Sequence, residues 1–222
     1  MNGDDADTLP LGVFHEVSLS TRDLDASVAF WESQGWTRGA VEPVWPHPYA
    51  VMVRDGAVLG LHQYRFPSPS VTCVHTDIAA ALEEHRDAGM ATAFAKTGPD
   101  CFNEFGFRDP AGHMVTLLER ATHRLPAVAS PSDDVFLSLP AADPELSLRF
   151  WKVLGATRGP AAPSPAWPCI RMLAGGLPLA LHDEALFERP AIVVVGAAAA
   201  RTVVEAPEGV PLVRVPGLSG AG

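Results

Sequence analysis

Glu16 and His62 are the side chains of this 222-residue chain whose types and settings best suit acid–base work. Glu16 lies in the stretch from Phe14 to Ser20, where apolar and polar residues alternate, so it shares a face with Ser18 and Ser20. A strand carboxylate among hydroxyls suits a general base or a clamp for a ligand amine. The plainer account is a carboxylate facing water. His62 closes a second apolar stretch, and there the plainer account is a core or edge histidine. Its counterpart His182, 120 residues further on, favours that structural role. A third feature is Val44-Trp45-Pro46-His47-Pro48-Tyr49. Two aromatics and an imidazole between prolines make a rigid loop, and flat side chains held in this way suit stacking on a planar ligand. The alternative is a loop plugging the hydrophobic core. Tyr64, Phe66, Phe102, Phe105 and Phe107 add aromatic surface that a site must share with ordinary core.

Other chemistries find no support. There is no GxSxG, HExxH, P-loop or GxGxxG. The three cysteines, Cys73, Cys101 and Cys169, are odd in number and widely spaced, which argues for reduced thiols over disulfides or zinc. A net charge of −10 suits nucleic acid poorly and favours a cationic small ligand. No apolar run is long enough for a membrane span, and the acidic start Met1 to Pro10 is unlike a secretion signal, so the default expectation is cytoplasmic. Hydrophobic residues at 47% and charged residues at 19% describe a globular chain.

The elements that carry these residues occur twice. Phe30-Trp31 with Gly35, Thr37, Arg38 and Gly39 recurs as Phe150-Trp151 with Gly155, Thr157, Arg158 and Gly159. The same offset of 120 pairs Met52 with Met172 and Leu61 with Leu181, and it pairs Val71–Val74 with Ala191–Val194. Within the first half, a strand over 14–20 precedes a helix over 23–34 that Gly35 closes. Strands over 49–53 and 57–64 flank the hairpin turn Arg54-Asp55-Gly56. The cycle restarts with a strand over 71–75, a helix over 77–88, and strands over 102–107 and 113–119 around the turn Asp109-Pro110-Ala111-Gly112. The second half reads as strand 135–139, helix 144–154, strands 169–174 and 177–181, and strand 191–195. Two helical turns over 197–204 and a last strand over 211–215 complete it. The fold class is therefore α+β. The expected division is a flexible start over 1–12, a first domain over 13–124, a Pro-, Ala- and Ser-rich linker over 125–133, a degenerate second domain over 134–216 and a flexible tail over 217–222.

Val17-Ser-Leu-Ser-Thr-Arg-Asp23-Leu24-Asp-Ala-Ser27-Val-Ala-Phe30-Trp31 resembles the opening strand and helix of the vicinal oxygen chelate superfamily. Phe107-Arg-Asp109-Pro110-Ala-Gly112-His113-Met-Val-Thr-Leu-Leu-Glu119 resembles its closing hairpin. That family includes glyoxalase I, extradiol dioxygenases, fosfomycin resistance proteins and bleomycin-type antibiotic-binding proteins. The resemblance implies tandem βαβββ units forming two fused glyoxalase-like domains, the second truncated. It implies half-open cups, a pseudo-dimer within one chain, and room for further pairing into a homodimer.

Catalytic members of the family hold a divalent metal with His, Glu or Gln. The resemblance puts the first ligand at Glu16 and the second at Gly60, with His62 one pleat further on the same face. It puts the third at Ser70 or Val71 and the fourth at Thr116. One good ligand is too few for a site of three or four converging donors, so no cofactor is expected, and a metal held by Glu16 and His62 is the alternative. The leading expectation is a metal-free protein that sequesters an aromatic, cationic compound, as bleomycin-type resistance proteins do. The residues expected around it are Glu16, Ser18, Trp45, His47, Tyr49, His62, Tyr64, Phe102, Phe105 and Thr116. The competing expectation is an enzyme, a glyoxalase-like lyase or isomerase or a dioxygenase. It would be metal-dependent or acid–base, with a site rearranged around His15 or Glu16, His62, and Glu104 or Glu119. A third is an interaction module that binds no small molecule. Neither nucleic acid nor membrane is expected as a partner.

Overall fold

A computed structural model describes residues 9, 11–123 and 134–217. The start over 1–12, the linker over 125–133 and the tail over 217–222 lie wholly or largely outside the described residues. The first half opens with β1 (Val13–Ser20), α1 (Leu24–Ser33), β2 (Thr37–Arg38), β3 (Tyr49–Arg54) and β4 (Ala57–His62). It continues with β5 (Ser70–Val74), α2 (Ile78–Asp87), β6 (Thr92–Lys96), β7 (Glu104–Arg108) and β8 (Met114–Leu118). The second half holds β9 (Val135–Ala141), α3 (Pro144–Val153), β10 (Thr157–Arg158), β11 (Ile170–Ala174) and β12 (Leu177–Asp183). It ends with β13 (Ala191–Gly196), β14 (Thr202–Val204) and β15 (Leu212–Pro216).

Local chemistry sets these boundaries. Each helix begins at an aspartate whose carboxylate accepts an N–H three residues on: Asp23 from Ala26, Asp77 from Ala80 and Asp143 from Leu146. The turn between β3 and β4 places Asp55 at φ 49° and Gly56 at φ 79°, the left-handed pair that an Asp-Gly hairpin requires. Between β7 and β8, the Asp109 carboxylate accepts the N–H groups of Ala111 and His113. His113 Nε2 lies 2.8 Å from the Pro140 carbonyl of the second half, so it serves the turn and the junction of the halves.

The strands form two mixed sheets. The first has the order β2-β3-β4-β1-β5-β8-β7-β6 and the second β10-β11-β12-β9-β13-β15-β14. In the first sheet, two βαβββ units meet where β1 pairs antiparallel with β5. A parallel pair, β1 with β4 and β5 with β8, lies inside each unit. The last unit is reduced. The helix expected over 197–204 is absent, and residues 202–204 are β14, paired with β15. The β-branched run Thr202-Val203-Val204 favours that ladder, and four alanines before it cannot nucleate a helix without an apolar face to bury. Strand pairing also refines the repeat. Ser18 faces Ser70 across the β1–β5 ladder and Ser138 faces Ala191 across β9–β13, so Ser70, not Val71, corresponds to Ala191.

One core cluster runs through both halves, from Trp31, Trp36 and Met52 to Trp151, Leu154 and Met172. A separate, smaller cluster fills the concave face of the second sheet with Phe136, Trp167, Ala180, Ala191, Val193, Val213 and Val215. All three cysteines are free thiols, and burial pushes the Cys73 thiol up to about 12. Among the described residues no helix is long and apolar enough to cross a membrane.

Candidate functional site

The concave face of the first sheet is polar where the second is apolar. Ser18, Ser70, Thr72 and Thr116 line its floor, joined in pairs by Ser18–Thr72 at 2.7 Å and Ser70–Thr116 at 2.8 Å. Trp45, His47, Tyr64, Phe66 and Phe94 stand around a cavity of about 120 Å³ above it. His47 stacks on Tyr64 with centroids 5.1 Å apart, and Trp45 rests against Phe102 at 5.0 Å. This loop meets the end of β4, where the Gln63 N–H donates to the Pro48 carbonyl at 2.9 Å.

A bulge in β1 changes what lies beneath the floor. Phe14 pairs with Cys73 and Glu16 with Thr72, so β1 advances two residues while β5 advances one. Simple alternation would separate His15 from Glu16. The extra residue instead turns both to the same side, where donor atoms of His15, Glu16 and His123 lie within 4.8 Å of one another. Glu16 is 0% exposed. Its Oε1 accepts from Ser18 Oγ at 2.7 Å and from His62 Nε2 at 2.8 Å, and its Oε2 accepts from the Tyr49 hydroxyl. Burial alone would raise this carboxyl. The hydrogen bond and charge of His62, with His15 and Tyr49, more than offset it and bring it down to about 2. Glu16 is therefore a carboxylate, and the bond to it requires the proton of His62 on Nε2.

Two chains of hydrogen bonds leave Glu16. In one, His62 Nδ1 lies 3.0 Å from His47 Nε2, which carries the chain to the cavity rim. Burial and then His62 hold His47 down to about 4, so it is neutral at pH 7. In the other, the Tyr49 hydroxyl lies 3.1 Å from Thr122 Oγ1, which is 2.6 Å from His15 Nε2. Burial, then the Glu16 charge, pushes the Tyr49 phenol above its ordinary range. On the far wall Glu104 lines the cavity, and burial raises its carboxyl.

Of the ten residues expected at the site, Ser18, Trp45, His47, His62, Tyr64 and Thr116 line the cavity. Glu16 and Tyr49 lie behind that wall, and Phe102 backs Trp45. Phe105 is a correction. Alternation along β7 sends Phe105 to the opposite face, into the core against His85, while Glu104 faces the cavity. Glu119 bonds Asn103 and stays out of the cup. Thr72, which faces Glu16 beside the β1 bulge, was not among the expected residues. Nor were Thr122 and His123, because a single bridge between Val41 and His123 brings that segment in.

The residues at the metal-ligand positions do not fit a metal. Both Glu16 oxygens are taken by protein donors. Gly60 brings no ligand, and a Cβ there would overlap the Glu16 carboxylate. Ser70 and Thr116 bond each other. The His15–Glu16–His123 group is a second set of donors that could hold a metal ion: all three are buried, and neither ring nitrogen of His123 has a hydrogen-bond partner. Its two imidazoles are stacked 3.8 Å apart at 13°, and His15 Nε2 accepts the Thr122 N–H at 3.0 Å. Gly60 is in effect the slot for the Glu16 carboxylate. We expect Gly60→Ala to expel it from its bonds and cost about 3 kcal/mol, read from the urea midpoint. An unchanged midpoint would show that the carboxylate can move freely.

No protein-family model and no curated protein matches the chain. Solved structures do. An extradiol ring-cleaving dioxygenase from B.fuscum aligns at 10% identity and a TM-score of 0.61, over 97% of this chain and 74% of that one. A Mn(II)-bound glyoxalase from Novosphingobium aromaticivorans aligns at 13% identity and 0.54, over 92% and 81%. A 2,2',3-trihydroxybiphenyl 1,2-dioxygenase from Sphingomonas wittichii strain RW1 aligns at 14% identity and 0.56, over 93% and 90%. The likeness is one of fold.

Proposed function

We propose that this chain, which has the vicinal oxygen chelate fold, holds a small aromatic molecule in the cup of its first half without a metal. The observation that carries this reading is the hydroxyl floor of Ser18, Ser70, Thr72 and Thr116 beneath an aromatic rim, in the place where metal ligands would have to converge. A planar ring gains stacking area from Trp45, His47 and Tyr64, and its polar substituents meet the hydroxyls. The Trp45 indole N–H is shielded from water and has no hydrogen-bond partner, so a ligand acceptor would satisfy it. The Glu104 carboxylate in the wall and the net charge of −10 favour a ligand with a cationic group. Such a protein acts by stoichiometric sequestration, as in resistance to an antibiotic, and needs affinity alone.

A second reading has its own observation. The Glu16–His62–His47 chain could move a proton between the buried carboxylate and the rim, which suits a metal-free acid–base enzyme.

The test is elemental analysis of untagged protein grown with Zn, Ni, Fe and Mn, followed by a thermal-shift screen of aromatic, cationic compounds. We expect substoichiometric metal and at least one compound that raises Tm and is recovered unchanged. Near-stoichiometric metal that is lost in Glu16→Ala overturns the binding reading in favour of a metalloenzyme. Consumption of the compound in molar excess, lost in His62→Gln, moves the function to acid–base catalysis.

A further inference from the structure

The second cup is a filled copy of the first, and its contents are visible. Ser138 and His182 occupy the places of Ser18 and His62, on strands paired in the same register, Ser18 opposite Gly60 and Ser138 opposite Ala180. Trp167 occupies the sequence place of His47. Its indole lies on the concave face of the second sheet, 0% exposed, among Val193, Val213 and Val215. The indole Nε1–H donates to Ser138 Oγ at 3.0 Å. Ser138 in turn bonds His182 Nδ1 at 2.8 Å, and His182 Nε2 reaches the Phe187 carbonyl at 2.8 Å. The indole thus has a face packed on the sheet and an N–H held by the serine of β9.

In the first cup the serine and the histidine remain, and the plug is gone. His47 is smaller than tryptophan and lies half-exposed at the rim, leaving the cavity of about 120 Å³. Thr72 and Thr116 replace Val193 and Val213 at matched ladder positions, so the floor gains hydroxyls where the second cup is dry. A dry cavity of about 150 Å³ accepts a benzene ring. The present cavity opens to solvent past Tyr64, which is 59% exposed, so a fused second ring has room at the mouth. Ser18 Oγ donates to Glu16 and accepts from Thr72, which leaves this cavity-lining hydroxyl one lone pair for a ligand donor.

We propose that the first cup takes a planar heteroaromatic with a ring N–H, of the indole class, its N–H donated to Ser18 as Trp167 donates to Ser138. This rests on the reading that the first cup binds aromatic molecules, and it fixes the chemical class.

Isothermal titration of the full chain with indole, 1-methylindole and naphthalene tests it. We expect one indole per chain, and binding weaker by about tenfold for 1-methylindole and naphthalene, the loss of one buried hydrogen bond. His47→Trp rebuilds the plug of the second half. It should abolish indole binding while thermal unfolding stays cooperative. Equal affinity for indole and 1-methylindole, or indole binding that survives in a folded His47→Trp protein, overturns the class and leaves aromatic binding standing. If neither these three compounds nor any aromatic of the thermal-shift screen binds, aromatic binding itself falls.

Discussion

Between pH 6.5 and 4 protonation of His15 and His182 should together remove about 5 kcal/mol of folding stability, measured by urea denaturation of the protein and of its His15→Gln and His182→Gln variants across a pH series. The cause is buried neutral histidine. Burial, chiefly, brings His15 and His182 down from 6.5 to about 4. In that window the unfolded chain binds protons that the folded chain refuses, so stability falls as pH falls. Each group contributes about 1.4 kcal/mol per pH unit. His123, also lowered mainly by burial, acts in the same direction. Glu16 works in a lower window. Its folded value of about 2 lies below the ordinary 4.5, so its contribution is intact above 4.5 and is lost as pH falls toward 2. A stability curve flat from pH 6.5 to 5 would mean that these histidines are charged in the folded protein.

Trp167→Ala should cost about 4 kcal/mol, the range for emptying a large aromatic from a packed core. The indole is wholly buried, with His182 at 5.1 Å and Phe187 at 5.7 Å between ring centroids. Alanine leaves a hole lined by valines that the rigid sheet cannot close. His47→Ala, the matched change in the first half, should cost less than about 1 kcal/mol because His47 already stands half in solvent. The urea midpoints of the two variants, at constant m-value, give the comparison. Similar losses would mean that the first cup is as tightly filled as the second.

The fold was legible because its signals are local and repeated. Asp23 with Leu24, the Asp55-Gly56 turn and Asp109-Pro110 each fix a cap or turn within a few residues, and the repeat doubles the first two at Asp143 and Gly175-Gly176. The site was legible wherever alternation held, as at Ser18, His62 and Thr116. It failed where geometry is not local. The β1 bulge carries no mark in the sequence, yet it brings His15 beside Glu16. Gly60 reads as a missing ligand, whereas its lack of a side chain is what admits the Glu16 carboxylate. Phe105 looked like aromatic surface for a site, and a one-residue difference in phase along β7 put it in the core. The expected helix over 197–204 failed because composition there favours a helix while the neighbouring strand β15 offers a better partner.

The self-filled second cup bears on how this chain can change over generations. Its dry interior and the core shared by both halves carry stability that does not depend on what the first cup contains. Substitutions at Thr72, Thr116 or His47 can therefore alter ligand preference without bringing the whole molecule near its unfolding threshold. One half is a mutational reserve for the other, and specificity should drift faster among relatives in the floor of the first cup than in the valines of the second.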